Sequence, residues 1–269
     1  MPVAEARVSP FDHGLLVGDG AFETLITYGG VPFALRRHWE RLRHSCEVLG
    51  IAVPEVEALR HAFREVMAAN DLPEARLRAT VTSGAGPLGS EKGHGEPTLL
   101  VAASVLKPWP ATEHAVTAPW PRNERGALTG VKSISYAENA LALAHAKARG
   151  CGEALLGNTR DELCEGTGSN VFLVRGDGVI TPPLESGCLA GVTRALVLKL
   201  CAEHGIGARE EPLPMSVLMD CEEAFLTSST REVHAIASVD GRELPRVGGG
   251  MTRELARLYK ELVARDPDP

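Results

Sequence analysis

Residues 119–126 read Pro119-Trp120-Pro121-Arg122-Asn123-Glu124-Arg125-Gly126, a stretch with two prolines and no hydrophobic period. Neither a helix nor a strand runs easily through such a segment. The sequence on each side of it mixes both periods, so neither half is all-helical or all-β. A chain of 269 residues has length enough for two modest cores. The expectation is an α/β (α+β) chain of two domains, 1–118 and 126–269, joined by a linker at 119–125.

In the first half, residues 21–28 alternate and are rich in β-formers. Gly29-Gly30 then turns the chain into Val31-Pro32-Phe33-Ala34-Leu35, a hairpin pattern. Trp39, Leu42, Cys46 and Leu49 keep helical spacing up to Gly50, and a second helix begins at Pro54 with Leu59, Phe63, Val66 and Met67 on one face. Strands are expected at 76–82, 98–105 and 114–118. The second half predicts a helix over about 136–149, strands near 153–157 and 170–175, and a turn at Gly176-Asp177-Gly178. A helix from Gly191 to about 204, strands near 223–228 and 232–239, and a final amphipathic helix at about 251–264 complete it. No internal repeat interrupts this order.

A net charge of −7 argues against nucleic-acid binding. No apolar run reaches the roughly 20 residues of a membrane span, and the start Met1-Pro2-Val3-Ala4-Glu5-Ala6 has no secretory pattern. A cytoplasmic protein is expected. The six cysteines show no C-x-x-C pair and no zinc spacing, so they are read as buried thiols and no metal is expected.

Four local patterns carry chemistry. Only six lysines occur, and Lys132 alone sits in a short β-like stretch, Thr129 to Tyr136, with apolar neighbours just before a helix. A lysine in a partly dry site has a lowered pKa and can form a Schiff base. Glu165 stands before the apolar strand Val171-Phe172-Leu173-Val174, where a carboxylate requires a cation or an N–H partner. Gly191-Val192-Thr193-Arg194 opens a helix whose free N–H groups suit a phosphate. Thr227-Ser228-Ser229-Thr230 leaves a strand as a run of hydroxyls that supplies more donors. Taken singly these are also a surface lysine, a loop carboxylate, a helix start and a polar turn. The nucleotide-like Gly84-Ala85-Gly86-Pro87-Leu88-Gly89 is followed by Ser90-Glu91-Lys92-Gly93-His94-Gly95-Glu96-Pro97, which makes no helix, so a dinucleotide site is set aside in favour of a loop.

Together, a Schiff-base lysine, a carboxylate for a ring nitrogen and donors for a phosphate specify pyridoxal 5′-phosphate. In this order, from Phe11-Asp12-His13-Gly14 to about Arg242, the chain resembles the fold type IV (class IV aminotransferase) family of pyridoxal-phosphate enzymes. The resemblance implies a C-terminal pseudo-barrel domain, the cofactor at the domain interface and a homodimer. It also implies that Lys132, in Val-Lys-Ser-x-x-Tyr-x-x-Asn, holds the cofactor and shuttles the substrate proton. Glu165 matches the glutamate of the pyridine nitrogen, and Arg41 a phosphate-binding arginine. Val192, Thr193, Ser228 and Ser229 match the phosphate site, Leu189 the residue against the ring, and Tyr136 a partner of the phenolic oxygen.

Gly18-Asp19-Gly20-Ala21-Phe22-Glu23-Thr24 resembles the D-amino acid aminotransferase and aminodeoxychorismate lyase branches. The implied reaction passes an amino group from a D-amino acid, or an (R)-amine, to a 2-oxo acid acceptor. The alternative is a lyase releasing pyruvate and 4-aminobenzoate. A branched-chain L-amino acid aminotransferase ranks below both, and a non-catalytic pyridoxal-phosphate-binding protein is remote. Thr82-Ser83-Gly84 lacks the arginine that holds the substrate carboxylate in typical D-amino acid aminotransferases. Lys92, His94, Arg36 and Arg37 are the substitutes considered, with Phe22 and Thr24 as further substrate-side candidates.

Overall fold

The computed structural model describes residues 3–93 and 95–269. The chain forms two compact units. One runs up to Val105 and takes in Val131–Tyr136; the other holds Leu106–Gly130 and Ala137–Pro269.

The first unit is a four-stranded antiparallel sheet with two helices on one face. Its strands are β1 (Gly20–Tyr28), β2 (Val31–Pro32), β3 (Arg76–Thr82) and β4 (Thr98–Ser104), in the order β2-β1-β3-β4. Gly29 and Gly30 both have positive φ, 56° and 77°, which lets a two-residue turn close the hairpin. The expected second strand stops early, because the chain turns at Ala34 (φ 53°) into a helix. A short α1 (His13–Leu16) is capped by Asp12, whose carboxylate accepts Gly14 N–H at 2.8 Å. Then α2 (Leu35–Leu49) ends on Gly50 at φ 65°, a left-handed C-cap, and α3 (Val56–Ala69) presents Leu59, Phe63 and Met67. Those side chains bury Ala21, Leu25, Leu77, Ala79 and Val81 with Leu42 and Cys46. Strand residues alternate between faces. The register pairs Phe22 with Thr80, Thr24 with Arg78 and Ile26 with Arg76, so these six share the face turned away from the helices. Val131–Tyr136 lies along β1: Lys132 C=O accepts from Phe22 N–H, and Gly20 C=O from Ile134 N–H, each at 2.9 Å.

The second unit carries β5 (Glu113–Thr117), α4 (Ala137–Lys147), β6 (Glu153–Gly157), β7 (Leu163–Gly166), β8 (Asn170–Arg175) and β9 (Gly178–Thr181). These are followed by α5 (Val192–Glu203), β10 (Gly207–Glu210), α6 (Val217–Asp220), β11 (Ala224–Ser228), β12 (Glu232–Val239), β13 (Arg242–Glu243) and α7 (Gly250–Arg265). Strand order is β10-β9-β8-β11-β12-β5-β6-β7, with β13 on β12. Phe172 and Phe225 pair across β8 and β11 and stack at 5.0 Å, nearly parallel. With Val179, Val197, Cys201 and Leu255 they form the layer beneath α5 and α7.

The division differs from the expected 1–118, 119–125 and 126–269. β5 pairs with β6 and β12, which draws the boundary back to 105/106. The proline-rich stretch is fastened within the second unit, where Arg122 N–H donates to Gly157 C=O at 2.7 Å. Among the described residues no helix is long and apolar enough to cross a membrane. The six cysteines are free, and burial pushes their thiols up, Cys188 and Cys201 to about 11.

Candidate active site

In the first unit the candidate side chains gather around one aromatic ring. Phe22, on the open face of β1, has the Lys132 Nζ 4.6 Å and the Arg78 guanidinium carbon 3.7 Å from its ring centroid. Tyr136 meets the same ring edge-on at 5.2 Å. Two cations sharing one quadrupole hold their charges close together, an arrangement that favours an anion between or beside them. Arg78 is half-buried; its Nε donates to Thr80 Oγ1 at 3.2 Å, and no carboxylate among the described residues pairs with it. Burial and Arg76 pull its pKa below that of a free guanidinium. Lys132 is fixed from its own backbone, whose N–H donates to Ser45 Oγ at 3.1 Å.

Behind that face lies a buried ionic group. Glu23 is fully buried, with Arg41 Nε and Nη2 donating to its two oxygens at 2.7 and 2.8 Å and His38 Nδ1 at 2.6 Å. Burial alone raises a carboxyl, but Arg41 and His38 outweigh it and hold Glu23 well below the carboxylate range. Arg41, expected at a phosphate, is therefore aimed by a two-point clamp on Glu23.

In the second unit the expected residues converge through Asn170. The register pairs Asn170 with Thr227, and its side-chain amide donates to Leu189 C=O at 2.9 Å. Leu189 N–H in turn donates to Glu165 Oε2 at 3.0 Å, and Arg122 Nη2 lies 3.2 Å from Glu165 Oε1. Both partners are donors, as an ionised carboxylate requires. Gly191 is the N-cap of α5, with no side-chain cap bond, so the first N–H groups of Val192 and Thr193 lack that partner. A Cβ at Gly191 would overlap Asn170 Oδ1, so only glycine permits this close approach. Thr227 Oγ1 is buried with no hydrogen-bond partner. An uncapped helix start, an orphaned hydroxyl and the half-buried turn of Ser228 and Ser229 fit a phosphate. Glu165 fits a protonated ring nitrogen.

Lys92 is occupied: its ammonium donates to Asp19 Oδ2 at 3.1 Å and to the Leu49 carbonyl, capping the end of α2 rather than facing Phe22. His94 lies outside the described residues. Thr24 shares its face with Arg78, as a substrate-side residue would. Sequence reasoning missed Arg78 and Arg122. The alternation Arg76-Leu77-Arg78-Ala79-Thr80-Val81 sets Arg78 opposite the core, whereas the resemblance points to position 83, which is a serine here. Arg122 lies inside the expected linker, where no chemistry is assigned to it.

A family model for amino-transferase class IV matches residues 20–239. A provisionally named branched-chain-amino-acid aminotransferase of Methanocaldococcus jannaschii is 36% identical over 96% of this chain and 92% of its own. The D-alanine aminotransferase of Bacillus licheniformis is 31% identical over 91% and 87%. The aminodeoxychorismate lyase of Bacillus subtilis is 29% identical over 98% and 92%. Among solved structures, the T.th. branched-chain amino acid aminotransferase with pyridoxamine 5′-phosphate aligns with a TM-score of 0.91 and 28% identity, covering 100% of this chain and 93% of that one. With its mixed sheets and its residues suited to pyridoxal 5′-phosphate, the cofactor of class IV aminotransferases, the chain belongs to the amino-transferase class IV family.

Proposed function

We propose that the protein is a transaminase passing an amino group between a D-amino acid and a 2-oxo acid by a ping-pong mechanism. The observation that carries this reading is the grouping of Lys132, Arg78 and Phe22, which sets an amine nucleophile beside a carboxylate-binding cation.

Bound pyridoxal 5′-phosphate supplies a carbonyl carbon for the amine and a cationic ring that draws electrons from the substrate Cα. Lys132 Nζ would hold the cofactor covalently and, once the incoming substrate amine had displaced it, the freed amine would accept the proton from the substrate Cα and return it across the substrate nitrogen. Glu165, steadied by Arg122 and Leu189 N–H, keeps a proton on the pyridine nitrogen. Val192 and Thr193 N–H groups, the Thr193, Ser228 and Ser229 hydroxyls and Arg41 are the groups that would hold the phosphate. Leu189 would pack against the ring and Tyr136 would hydrogen-bond its phenolic oxygen. Arg78, with Thr24 beside it, receives the substrate carboxylate in place of the arginine missing at Ser83.

The D-preference rests on Gly18–Thr24 and on the D-alanine aminotransferase relative. A second reading, a branched-chain L-amino acid donor, is favoured by the higher identity of the Methanocaldococcus relative. We further infer a homodimer, because Phe11, Leu15 and Leu88 leave apolar surface that a second copy would cover. Six free thiols suit a reducing cytoplasm.

The test is to mix the yellow holoenzyme with D-alanine or with L-leucine and follow loss of the visible band and release of the 2-oxo acid. D-alanine is expected to bleach it. Bleaching by L-leucine alone supports the second reading. Bleaching by neither, with pyruvate released from aminodeoxychorismate, makes the protein a lyase.

A further inference from the structure

The hydroxyl turn that leaves β11 ends in an arginine whose side chain does not face water. Arg231 closes the three-residue loop between β11 and β12 and is 8% exposed. Its backbone N–H donates to Ser228 Oγ at 3.2 Å, and the next residue, Glu232, sits at φ 55°, a left-handed conformation that non-glycine residues rarely adopt. The turn is therefore held in a shape that the backbone alone disfavours.

The guanidinium reaches back into the sheet. Nη1 donates to Glu113 Oε2 at 2.6 Å and to His234 Nδ1 at 3.1 Å. Nη2 donates to Gly152 C=O at 3.1 Å and lies 3.8 Å from Glu153 Oε2. Its carbon stacks 3.7 Å over Trp109. Because Nδ1 of His234 accepts from Arg231, its proton sits on Nε2, which donates to Pro110 C=O at 2.8 Å. Burial lowers the His234 pKa, in keeping with a neutral ring.

Glu153 carries the connection onward. Oε1 accepts Thr167 N–H at 2.9 Å and the Thr167 hydroxyl, and Oε2 accepts Ser169 Oγ at 2.8 Å. Thr167 and Ser169 flank the end of β7, two and four residues after Glu165. Asn139 Nδ2 holds the same end through Thr167 C=O at 2.7 Å. One buried cation thus lies between two buried carboxylates, one of which grips the Glu165 segment, while its own backbone grips the Ser228 turn. Stability alone does not require this, since well-packed apolar residues serve a core equally well.

We propose that Arg231 is a positioning residue that locks the Ser228–Ser229 turn and the Glu165 segment into one frame, so that the phosphate and ring-nitrogen ends of the cofactor are held at a fixed separation. The inference rests on the cofactor reading above. In Arg231→Met the dissociation constant for pyridoxal 5′-phosphate rises about tenfold or more and kcat falls by a similar factor, while KM for the amino donor changes little.

The experiment compares wild type, Arg231→Lys, Arg231→Met and Arg231→Met/Glu113→Gln as reconstituted holoenzymes, reading cofactor affinity, kcat, KM, the visible absorption band and thermal midpoint. The double variant removes the carboxylate that Arg231 pairs most closely, Glu113, while Glu153 keeps its bonds from Thr167 and Ser169. Arg231→Lys, which keeps the charge but loses the fork, is expected to fall between wild type and Arg231→Met in affinity and kcat. A double variant that regains the wild-type thermal midpoint yet keeps weakened affinity, lowered kcat and a displaced band supports the positioning role. Regained midpoint with affinity and kcat fully restored overturns it, as does wild-type behaviour of Arg231→Met. Failure of the wild type itself to bind pyridoxal 5′-phosphate overturns the parent reading instead, and this one with it.

Discussion

The guanidinium of Arg78 lies 3.7 Å over the ring of Phe22, on the sheet face that also carries Thr24. A planar cation stacked on an aromatic ring keeps its N–H edges directed outward, ready for a carboxylate. Arg78→Met is expected to raise KM for amino acids and 2-oxo acids by about 10- to 100-fold, the worth of a charge-assisted hydrogen bond. Steady-state kinetics with an amine donor that has no carboxylate provide the control, for which KM should stay near the wild-type value. An equal loss for both donors would assign Arg78 to the scaffold.

Glu165 has two donors on its carboxylate, Leu189 N–H and Arg122. Glu165→Gln keeps the shape but removes the charge that balances a protonated ring. A fall in kcat of about 10- to 100-fold is expected, from about 1.5–3 kcal/mol of lost charged hydrogen bonding. Arg122→Met should move kcat in the same direction by a smaller factor, read in single-turnover experiments.

Acid should weaken the first unit in a defined way. His38 is buried and donates to Glu23, and burial, outweighing the opposing pull of Glu23, holds its pKa below 6.5. The unfolded chain takes up this proton near pH 6.5, and the folded chain only at lower pH. Stability is therefore complete above about pH 6.5 and declines as pH falls through the folded value. Glu23, depressed by its two partners, adds a second loss in stronger acid. Urea midpoints at pH 7 and pH 5.5 measure the first loss, and His38→Gln should flatten it. An unchanged slope in that variant would assign the loss to other groups.

Much of this architecture is legible in the residues. Gly29-Gly30, Gly50 and the Leu59–Phe63–Met67 stripe state their turn, cap and buried face outright, and chemistry at spacing singles out Lys132, Glu165 and Thr193 as candidates. What sequence hides is pairing between distant segments. Nothing local says that Glu113–Thr117 joins β6 and β12, so the boundary is read too late. The short strands β7, β9 and β10 have too few residues to show a period. Nor does spacing reveal that the proline-rich segment delivers Arg122 to Glu165, or that Lys92 is spent on Asp19.

Gly191 tests the phosphate site through shape. Its φ of −66° suits any residue, so Gly191→Ala adds no backbone strain, but the new methyl overlaps Asn170 Oδ1. Displacing Asn170 disturbs Leu189 and the start of α5 together. A stability loss of about 1–3 kcal/mol is expected, with a weaker response of the thermal midpoint to added pyridoxal 5′-phosphate. Melting curves with and without the cofactor read both effects, and an unchanged cofactor response would place the phosphate elsewhere.

The central claim is that Lys132 holds the cofactor. Borohydride reduction of the holoenzyme, followed by digestion and peptide mass mapping, tests it most directly, and with only six lysines in the chain the assignment is unambiguous. The pyridoxyl mass is expected on the peptide containing Lys132, and Lys132→Ala should abolish it. A label on Lys92, Lys107, Lys147, Lys199 or Lys260, or no label on any lysine of an active enzyme, would contradict the account.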